Sequence, residues 1–322
     1  MVLEEQILRY YLKVSSIFFF IVFLFFLLLL NSSLNKNIKL KYTIIKIEKN
    51  ENFSNIILNN FEQINALDFI IFKNYYKFLN YFNDTIVHYG NFDINENISI
   101  IEFINIIKKP SNILNKITIV DGWSKKRLDL ELSKHFESYS LINFNEILAD
   151  TYYYNNEKTF DDFLIQLKKF KDNYIAQYKS NDFFKKYDEN DLLVIGSLIE
   201  KEGLDYYDKK LISSVIMNRL QKNMRLQIDA SVIYALTNGN YDLNRKLTFK
   251  DLKTKNIYNT YINYGLPPSP ISYVSTKTID IIFENYKTDF LFYFYNSLLK
   301  RHVFSKNYKN HLHKLNEYRK SK

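Results

Sequence analysis

The chain has 322 residues, a formal net charge of +9 and no cysteine. This length allows two or three domains with a sizeable core, and the lack of cysteine excludes a disulfide framework, a thiolate nucleophile and a Cys-ligated metal site. The positive charge would suit an anionic partner, but the lysines are spread along the whole chain without a compact basic block. We therefore predict no nucleic-acid partner.

A long apolar run lies near the N-terminus. Residues 14–30 read VSSIFFFIVFLFFLLLL, and no charged residue lies between Lys13 and Lys36. A cleaved signal peptide and a membrane-spanning anchor are both compatible with such a run, but no small-residue cleavage site ends it. We favour an anchor at the short end of the range for spanning helices. The prediction is a cytoplasmic tail at 1–13, a single transmembrane segment at 14–30 and a body exported from the bacterial inner membrane into the periplasm.

The remainder predicts an α+β protein in two parts. A linker at 31–42 leads to a small α+β subdomain at 43–118, and a larger mixed α+β domain occupies 119–322. Hydrophobic spacing predicts the elements inside them. The predicted strands are 41–48, 88–92, 117–120 and 148–154, and the predicted helices are 55–80, 98–107, 124–135 and 159–178.

The segment DLLVIGSLIEKE predicts a helix that carries a carboxylate on its core-facing side. Asn190 is an expected N-cap and Gly203 an expected C′ stop. The apolar positions of this helix are Leu192, Ile195 and Ile199. Glu202 occupies the next position of that stripe, whereas Glu200 projects about 160° away around the helix and should be more solvated.

The position of Glu202 favours a protonated carboxyl group. Partial burial disfavours the charged form, and the last turn of a helix places partial negative charge nearby. Both effects raise the pKa, as a general acid at neutral pH requires. Spacing alone leaves a second interpretation, in which Glu202 merely ends an amphipathic helix.

Three motifs follow SLIEKEG in a fixed order. They are SVIMNRLQKNMRLQIDASVIYAL at 214–236, IYNTYINYGLPPSPIS at 257–272 and DFLFYFYNSLLKRHVFSKNYKNH at 289–311. Together with the N-terminal apolar run, they resemble the MltG/YceG family of membrane-anchored endolytic murein transglycosylases. The resemblance is close over about 192–318, with core motifs at 192–311. It is weaker upstream, where HYGNF, ITIVDGW and LADTYYY are similar to a LysM-like region and its junction with the catalytic domain.

The resemblance implies an activity and a set of site residues. Glu202 would be the catalytic residue of an endolytic peptidoglycan lytic transglycosylase, a lyase that leaves 1,6-anhydro-muramic ends inside glycan strands and limits nascent strand length. The substrate-binding candidates are Gln227, Asp229, Tyr234, Asn259, Tyr261, Pro268 and His302. The implied partners are peptidoglycan strands, the membrane through residues 14–30 and peptidoglycan synthases, with no cofactor and no metal. The alternatives are a muramidase, or a non-catalytic peptidoglycan-binding scaffold of the cell-wall machinery.

Two of the candidates have open alternatives at this point. Asp229 could be a second carboxylate, which would favour hydrolysis, or the N-cap of the apolar run 230–236, which we favour. His302 could line the cleft or could pack on the core as a hairpin residue. His311 and His313 are expected to be solvated helix residues.

Proline is concentrated in one loop. Three of the four prolines of the chain lie in GLPPSPIS, at 267, 268 and 270. Proline fixes φ and restricts the preceding residue, so this loop loses little entropy when it binds a ligand. We predict that it forms a wall of the glycan cleft facing Glu202, in preference to a stiff connector between elements.

Overall fold

The structure is a computed structural model that describes residues 2–83, 87–155 and 157–321. These residues form eleven α-helices and eight short strands, which confirms the α+β class. They divide into two compact units. Unit 1 comprises the described residues up to 115 together with 154–158, and unit 2 comprises 116–153 and the described residues from 159 onward. A LysM-like identity for unit 1 stays a prediction.

Unit 1 begins with the apolar helix α1 (Val2–Asn35), and its segment Tyr10–Asn35 is long and apolar enough to cross a membrane. The helix continues through the first five residues of the predicted linker. Ser33 and Leu34 at this end are buried in unit 1, which corrects the expectation of a free polar linker there.

The rest of unit 1 packs three helices against short antiparallel ladders. Strand β1 (Ile38–Lys39) pairs with β4 (Asn97–Ile98), and β2 (Ile44–Ile47) pairs with β3 (Gly90–Asp93). The helices are α2 (Phe53–Asn60), α3 (Ala66–Asn83) and α4 (Ile100–Ile107). The single helix predicted across 55–80 is therefore two helices. The break follows Asn60, because Phe61 adopts an extended conformation and forms an isolated bridge with Leu40.

Unit 2 contains most of the longer helices. In chain order its elements are β5 (Asn115–Thr118), α5 (Lys125–Leu132), β6 (Thr151–Tyr154), α6 (Phe160–Ala176), α7 (Glu189–Glu202), α8 (Tyr206–Gln221), α9 (Asp229–Thr237), α10 (Thr276–Glu284), β7 (Phe292–Asn296), β8 (Arg301–Ser305) and α11 (Tyr308–Ser321). Strand β5 pairs with β6, and β7 forms an antiparallel hairpin with β8.

Helix α7 is the centre of the unit 2 core. Every residue from Leu192 to Ile199 is buried, and the same core includes apolar residues of α8 and α10. Gly196 lets Val274 approach the helix backbone, because a Cβ at this glycine would lie 2.5 Å from a Val274 methyl group. Close packing on all sides therefore fixes α7, and with it the position of the last turn.

Both ends of α7 differ in detail from the sequence prediction. The N-cap is Asp188 and not Asn190, and Asp188 forms a reciprocal capping box with Asp191. Gly203 is the C-cap, with an extended conformation (φ −76°, ψ 140°), and its N–H donates to the Ile199 carbonyl at 2.8 Å. The helix ends directly after Glu202, so this side chain lies at the helix terminus.

Candidate active site

A cleft of about 400 Å³ opens at the C-terminal end of α7. Its other walls come from α8, the start of α9 and the loop before it, the loop that carries Tyr261, the β7–β8 hairpin and α11. Its lining residues are Glu202, Arg219, Leu226, Gln227, Asp229, Tyr261, Phe292, Tyr293, Phe294, Tyr295, His302, Tyr308 and His311. Half of this lining is aromatic, so the cleft offers flat apolar faces beside a small number of carboxyl and amide groups.

Glu202 has the electrostatic environment of a general acid. Burial, and then the negative charge of Asp229, raise its pKa to about 7. His302, the backbone N–H of Ala230 and the Tyr293 hydroxyl oppose this rise in the pKa. Tyr293 donates to Glu202 Oε2 at 3.3 Å. The carboxyl group therefore keeps its proton to higher pH than a free glutamate does, as an acid that donates and later recovers a proton needs.

Asp229 is the first residue of α9 and not its N-cap. The N-cap is Ile228, which makes no side-chain capping bond. The Asp229 carboxylate instead accepts a hydrogen bond from the Tyr261 hydroxyl at 2.5 Å. The N-cap interpretation is thus wrong, and Asp229 lies in the cleft as a second carboxylate held by a tyrosine.

His302 combines the two positions that the sequence left open. It lies on β8 of the hairpin, and its side chain is 6% exposed. Its Nδ1 lies 2.9 Å from Asp208 Oδ2, and its ring meets the Tyr293 ring edge-to-face. The same ring lines the cleft, so His302 is both a packed hairpin residue and part of the cleft wall.

Gln227 and Tyr261 lie on two loops that are connected by hydrogen bonds. Gln227 has a positive φ of 51°, and its backbone N–H donates to the Thr260 carbonyl at 3.1 Å. Thr260 in turn accepts a hydrogen bond on its hydroxyl from the Ile228 N–H. These bonds hold the two loops together, and both Gln227 and Tyr261 line the cleft. The left-handed backbone at Gln227 is strained for a residue with a side chain and marks a position under structural constraint.

Two further candidates lie outside the cleft lining. Asn259 is fully buried, and its Nδ2 donates to the carbonyls of Leu252 and Thr254. Its Oδ1 accepts from the Tyr261 N–H, so Asn259 shapes the loop that presents Tyr261. Tyr234 packs its ring 4.8 Å from that of Tyr258, on the unit 2 core.

The proline loop does not lie opposite Glu202. The Pro268 carbonyl accepts a hydrogen bond from Asn190 Nδ2 at 3.2 Å. Asn190 is in the first turn of α7, so the 12 residues to Glu202 correspond to about 18 Å along the helix axis. No residue of 265–270 lines the cleft. The expectation that this loop faces Glu202 is therefore corrected, and the loop packs at the opposite end of α7.

Glu200 was expected to be solvated, and its side chain is instead fully buried. Lys209 forms an ion pair with it, and Lys209 also contacts Asp121 at 2.8 Å. The backbone N–H and the hydroxyl of Ser275 donate to Glu200 Oε1 at 3.0 Å and 2.7 Å. Helical spacing correctly separated Glu200 from the cleft, but it could not show that Lys209 and α10 cover that side of α7.

Three residues of the cleft that bear on its chemistry were not among the predicted site residues. Arg219 is buried and donates to the backbone carbonyls of Leu291 and Leu226, and burial lowers its pKa. Tyr293 lies on β7 and donates its hydroxyl hydrogen bond to Glu202. His311 was expected in solvent, but it lines the cleft, and burial lowers the pKa of its imidazole.

Fold and site together define a class of protein. The described chain is an α+β protein with a membrane-compatible N-terminal helix and a cleft in which one carboxyl group has a raised pKa. The YceG-like family model matches residues 45–317, and the chain belongs to this family.

Several relatives of this chain carry the name endolytic murein transglycosylase. The protein of that name from Bacillus subtilis (strain 168) is 35% identical over 173 residues, which are 53% of this chain and 47% of the relative. The one from Streptococcus pneumoniae serotype 2 is 27% identical over 219 residues, 67% of this chain and 37% of the relative. The matches thus span less than half of each relative's length.

A solved structure supports the fold. The crystal structure of a YceG-like protein from Listeria monocytogenes aligns with a TM-score of 0.53 at 23% sequence identity. The alignment covers 86% of this chain and 99% of the other.

Proposed function

We propose that this protein is an endolytic peptidoglycan lytic transglycosylase that cleaves the β-1,4 bond between N-acetylmuramic acid and N-acetylglucosamine within glycan strands. The observation that carries the proposal is Glu202, a carboxyl group with a pKa of about 7 that faces an aromatic-walled cleft. The relatives named endolytic murein transglycosylase support the same substrate and reaction class.

The reaction needs one residue that is an acid and then a base, so the second carboxylate of the cleft, Asp229, transfers no proton in this mechanism, whereas in a muramidase it would be the nucleophile or base. Protonated Glu202 donates its proton to the glycosidic oxygen as the bond from that oxygen to C1 of the muramic acid breaks. The C6 hydroxyl of the same sugar then attacks C1 and forms the 1,6-anhydro bond, and ionised Glu202 accepts the hydroxyl proton. The attacking group is part of the substrate, so no water has to be activated and the proximity advantage is built in.

Neighbouring groups would hold Glu202 ready for both steps. The Tyr293 hydroxyl orients one carboxyl oxygen, and it can stabilise the ionised form after proton transfer. Asp229 keeps the pKa of Glu202 high, and its own carboxylate is fixed by Tyr261. Positive charge that develops at C1 would be stabilised by the Asp229 carboxylate. Gln227 supplies an amide at the cleft rim for the acetamido groups of the sugars.

The aromatic wall suits a polymer of sugar rings. Rings from β7 and α11 line one side of the cleft, and sugars present apolar C–H faces that stack against such rings. His302 would contribute a polar ring nitrogen within that wall. Tyr234 and Asn259 are proposed to support the site from outside the cleft, whereas Pro268, at the opposite end of α7, is proposed to affect stability and not cleavage.

We also propose that α1 anchors the protein in the inner membrane and that the body works in the periplasm. A membrane anchor would keep the cleft close to newly made glycan strands, where cleavage limits strand length. Peptidoglycan synthases are the proposed partners, because they supply those strands. The support for the anchor is the length and apolar composition of residues 10–35.

Product analysis tests the proposal. The full chain in detergent is incubated with purified peptidoglycan, and the products are separated and weighed by mass spectrometry. Internal 1,6-anhydro-muramic ends from the native protein, absent with Glu202→Gln, are the expected result. Reducing muramic ends would instead identify a muramidase. Binding without any new ends from a folded native protein would identify a glycan-binding scaffold.

A further inference from the structure

An apolar groove of about 640 Å³ lies in unit 1 between α1 and α3. Its walls come from residues between Phe26 and Leu34 of α1 and between Leu67 and Phe78 of α3. The α1 wall belongs to the segment that is apolar enough to cross a membrane. The groove is therefore continuous with the surface that the proposed anchor presents to lipid.

A polar clamp fixes α3 beside the end of α1. The Ser33 hydroxyl donates to Asp68 Oδ1 at 2.5 Å, and Lys36 Nζ lies 3.2 Å from Asp68 Oδ2. These contacts join the first turn of α3 to the last turn of α1. Because the groove extends from there to Phe26 and Phe78, α3 runs back along the apolar part of α1 and does not turn away from it.

Helix α3 has two apolar faces, whereas a helix on the surface of a water-soluble protein normally has one. The first face includes the fully buried Phe72 and packs on the unit 1 core. The second includes Leu67, Ile70, Phe78 and Phe82, which are 59%, 54%, 59% and 64% exposed. The exposed Asn74 is a polar side chain on this otherwise apolar face. An exposed apolar surface of this kind marks a site of contact with another molecule or with a membrane.

We propose that the second apolar face of α3 lies in the headgroup–acyl boundary of the bilayer that α1 crosses, with lipid acyl chains filling the groove. The proposal rests on the proposed anchoring by α1. Lipid is the occupant that the surface favours, because the groove wall is shared with the anchor itself. Interfacial helices immerse their apolar face by about 5–10 Å, a depth that this face can accommodate beside α1.

The third side of α3 matches the polar zone of a membrane surface. Lys73, Lys77 and Asn80 follow one another along this side, and all three are exposed. Lysines that flank an apolar face can extend their ammonium groups to lipid phosphates. Tyr81, at the end of the helix, is 84% exposed and has the amphipathic ring that is enriched at membrane–water interfaces. Unit 1 would thus contact the membrane through two elements, the spanning helix α1 and the interfacial face of α3.

Site-directed labelling of the full chain tests this inference. The chain has no cysteine, so one introduced cysteine gives one labelled position. Ile70→Cys and Phe78→Cys place a fluorophore on the second apolar face. Lys73→Cys and Asn80→Cys are matched controls on the polar side of the same helix, and Phe19→Cys is a control within α1. Each labelled protein is placed at one chain per lipid nanodisc, with and without quencher-bearing acyl chains.

The inference predicts strong lipid quenching at positions 19, 70 and 78, at least two-fold greater at 70 and 78 than at 73 and 80. Quenching at 19 without quenching at 70 and 78 would overturn it and leave the anchor intact. Protection of 70 and 78 from an aqueous quencher without lipid quenching would also overturn it, because protein would then cover the face. An absence of lipid quenching at 19 would contradict the anchor and this inference together. Unchanged thermal unfolding of each variant shows that the labelled chains are folded.

Discussion

Glu200 and Glu202 lie two residues apart on α7, but the charged groups nearest to their carboxyl groups have opposite signs: the Lys209 ammonium group lies beside Glu200, and the Asp229 carboxylate lies near Glu202. Glu200 is fully buried against the Lys209 ammonium group, with two further hydrogen bonds from Ser275. Glu202 faces the cleft, where it accepts a hydrogen bond from a neutral tyrosine and lies near the negative charge of Asp229. Burial beside a like charge favours the protonated form of Glu202. One helix end therefore presents a structural carboxylate on one side and a proton donor on the other.

The first prediction concerns the pH dependence of cleavage. Activity should fall as the pH rises through the pKa of Glu202, about 7, because the proton donor is lost. Asp229→Asn removes a charge that raises this pKa, so the fall in activity on the alkaline side of the pH profile (the alkaline limb) should move to lower pH by about one unit. His302→Gln removes a group that lowers it, so the limb should move to higher pH.

The measurement is the pH profile of kcat/KM for the release of soluble fragments from peptidoglycan, with fold checked at each pH. Tyr261→Phe keeps both carboxyl groups and removes only the bond to Asp229, so it controls for loss of local order. Shifts of the same sign in Asp229→Asn and His302→Gln would contradict the assignment of the limb to Glu202.

The second prediction concerns the structural carboxylate. Lys209→Met leaves Glu200 buried without its cation, which should cost about 3–5 kcal/mol of unfolding free energy. Lys210→Met is the matched control on the next residue. Its partner Glu284 is partly exposed, so solvent screens this ion pair and the loss of stability should be clearly smaller than for Lys209→Met.

Urea unfolding of the two variants measures both costs. Lys209→Met combined with Glu200→Gln should recover part of the lost stability, because the buried unpaired charge is removed. Equal destabilisation by Lys209→Met and Lys210→Met would show that the Glu200 ion pair has no special role.

The third prediction concerns the proline loop. Its contact with Asn190 places it at the far end of α7, so Pro268→Gly should reduce stability by about 1 kcal/mol through greater freedom of the unfolded chain. Cleavage per folded molecule should stay within two-fold of the native rate, as measured by initial rates and thermal unfolding on the same samples. A ten-fold loss of rate in a fully folded variant would contradict this prediction and show that the loop takes part in glycan binding.

The fourth prediction concerns the close approach at Gly196. A methyl group there would overlap Val274, so Gly196→Ala should destabilise the protein by about 1–3 kcal/mol. Val274→Ala provides space for that methyl group. The double variant should therefore be more stable than the sum of the single effects predicts, and strict additivity in thermal or urea unfolding would contradict the proposed contact.

The local signals in the sequence located α7 and singled out Glu202, because apolar spacing on one helix is a short-range property. The N-cap was assignable too. Asp188 is followed three residues later by Asp191, whereas Asn190 is followed three residues later by an apolar leucine, so the capping-box pattern distinguishes them. The end of the helix was clear from Gly203.

The cleft walls depend on contacts between distant segments, which no local pattern specifies. Tyr293 reaches Glu202 only through the register of the β7–β8 hairpin and its packing on α7. Proline spacing showed that the 267–270 loop is rigid, but rigidity does not indicate which end of α7 the loop contacts. The role of Asn259 was not predictable from the motif either. A polar side chain in a motif can hydrogen-bond buried backbone carbonyls as readily as it can bind a substrate, and Asn259 does the former.

The most direct test of the central claim is cleavage of purified peptidoglycan in water enriched in ¹⁸O. If Glu202 protonates the leaving group and the C6 hydroxyl attacks C1, the new muramic ends contain no ¹⁸O, are lighter than reducing ends by one water, and disappear with Glu202→Gln. New muramic ends that carry one ¹⁸O atom would show attack by water, and undiminished cleavage by Glu202→Gln would remove this residue from the chemistry; either result would contradict the account.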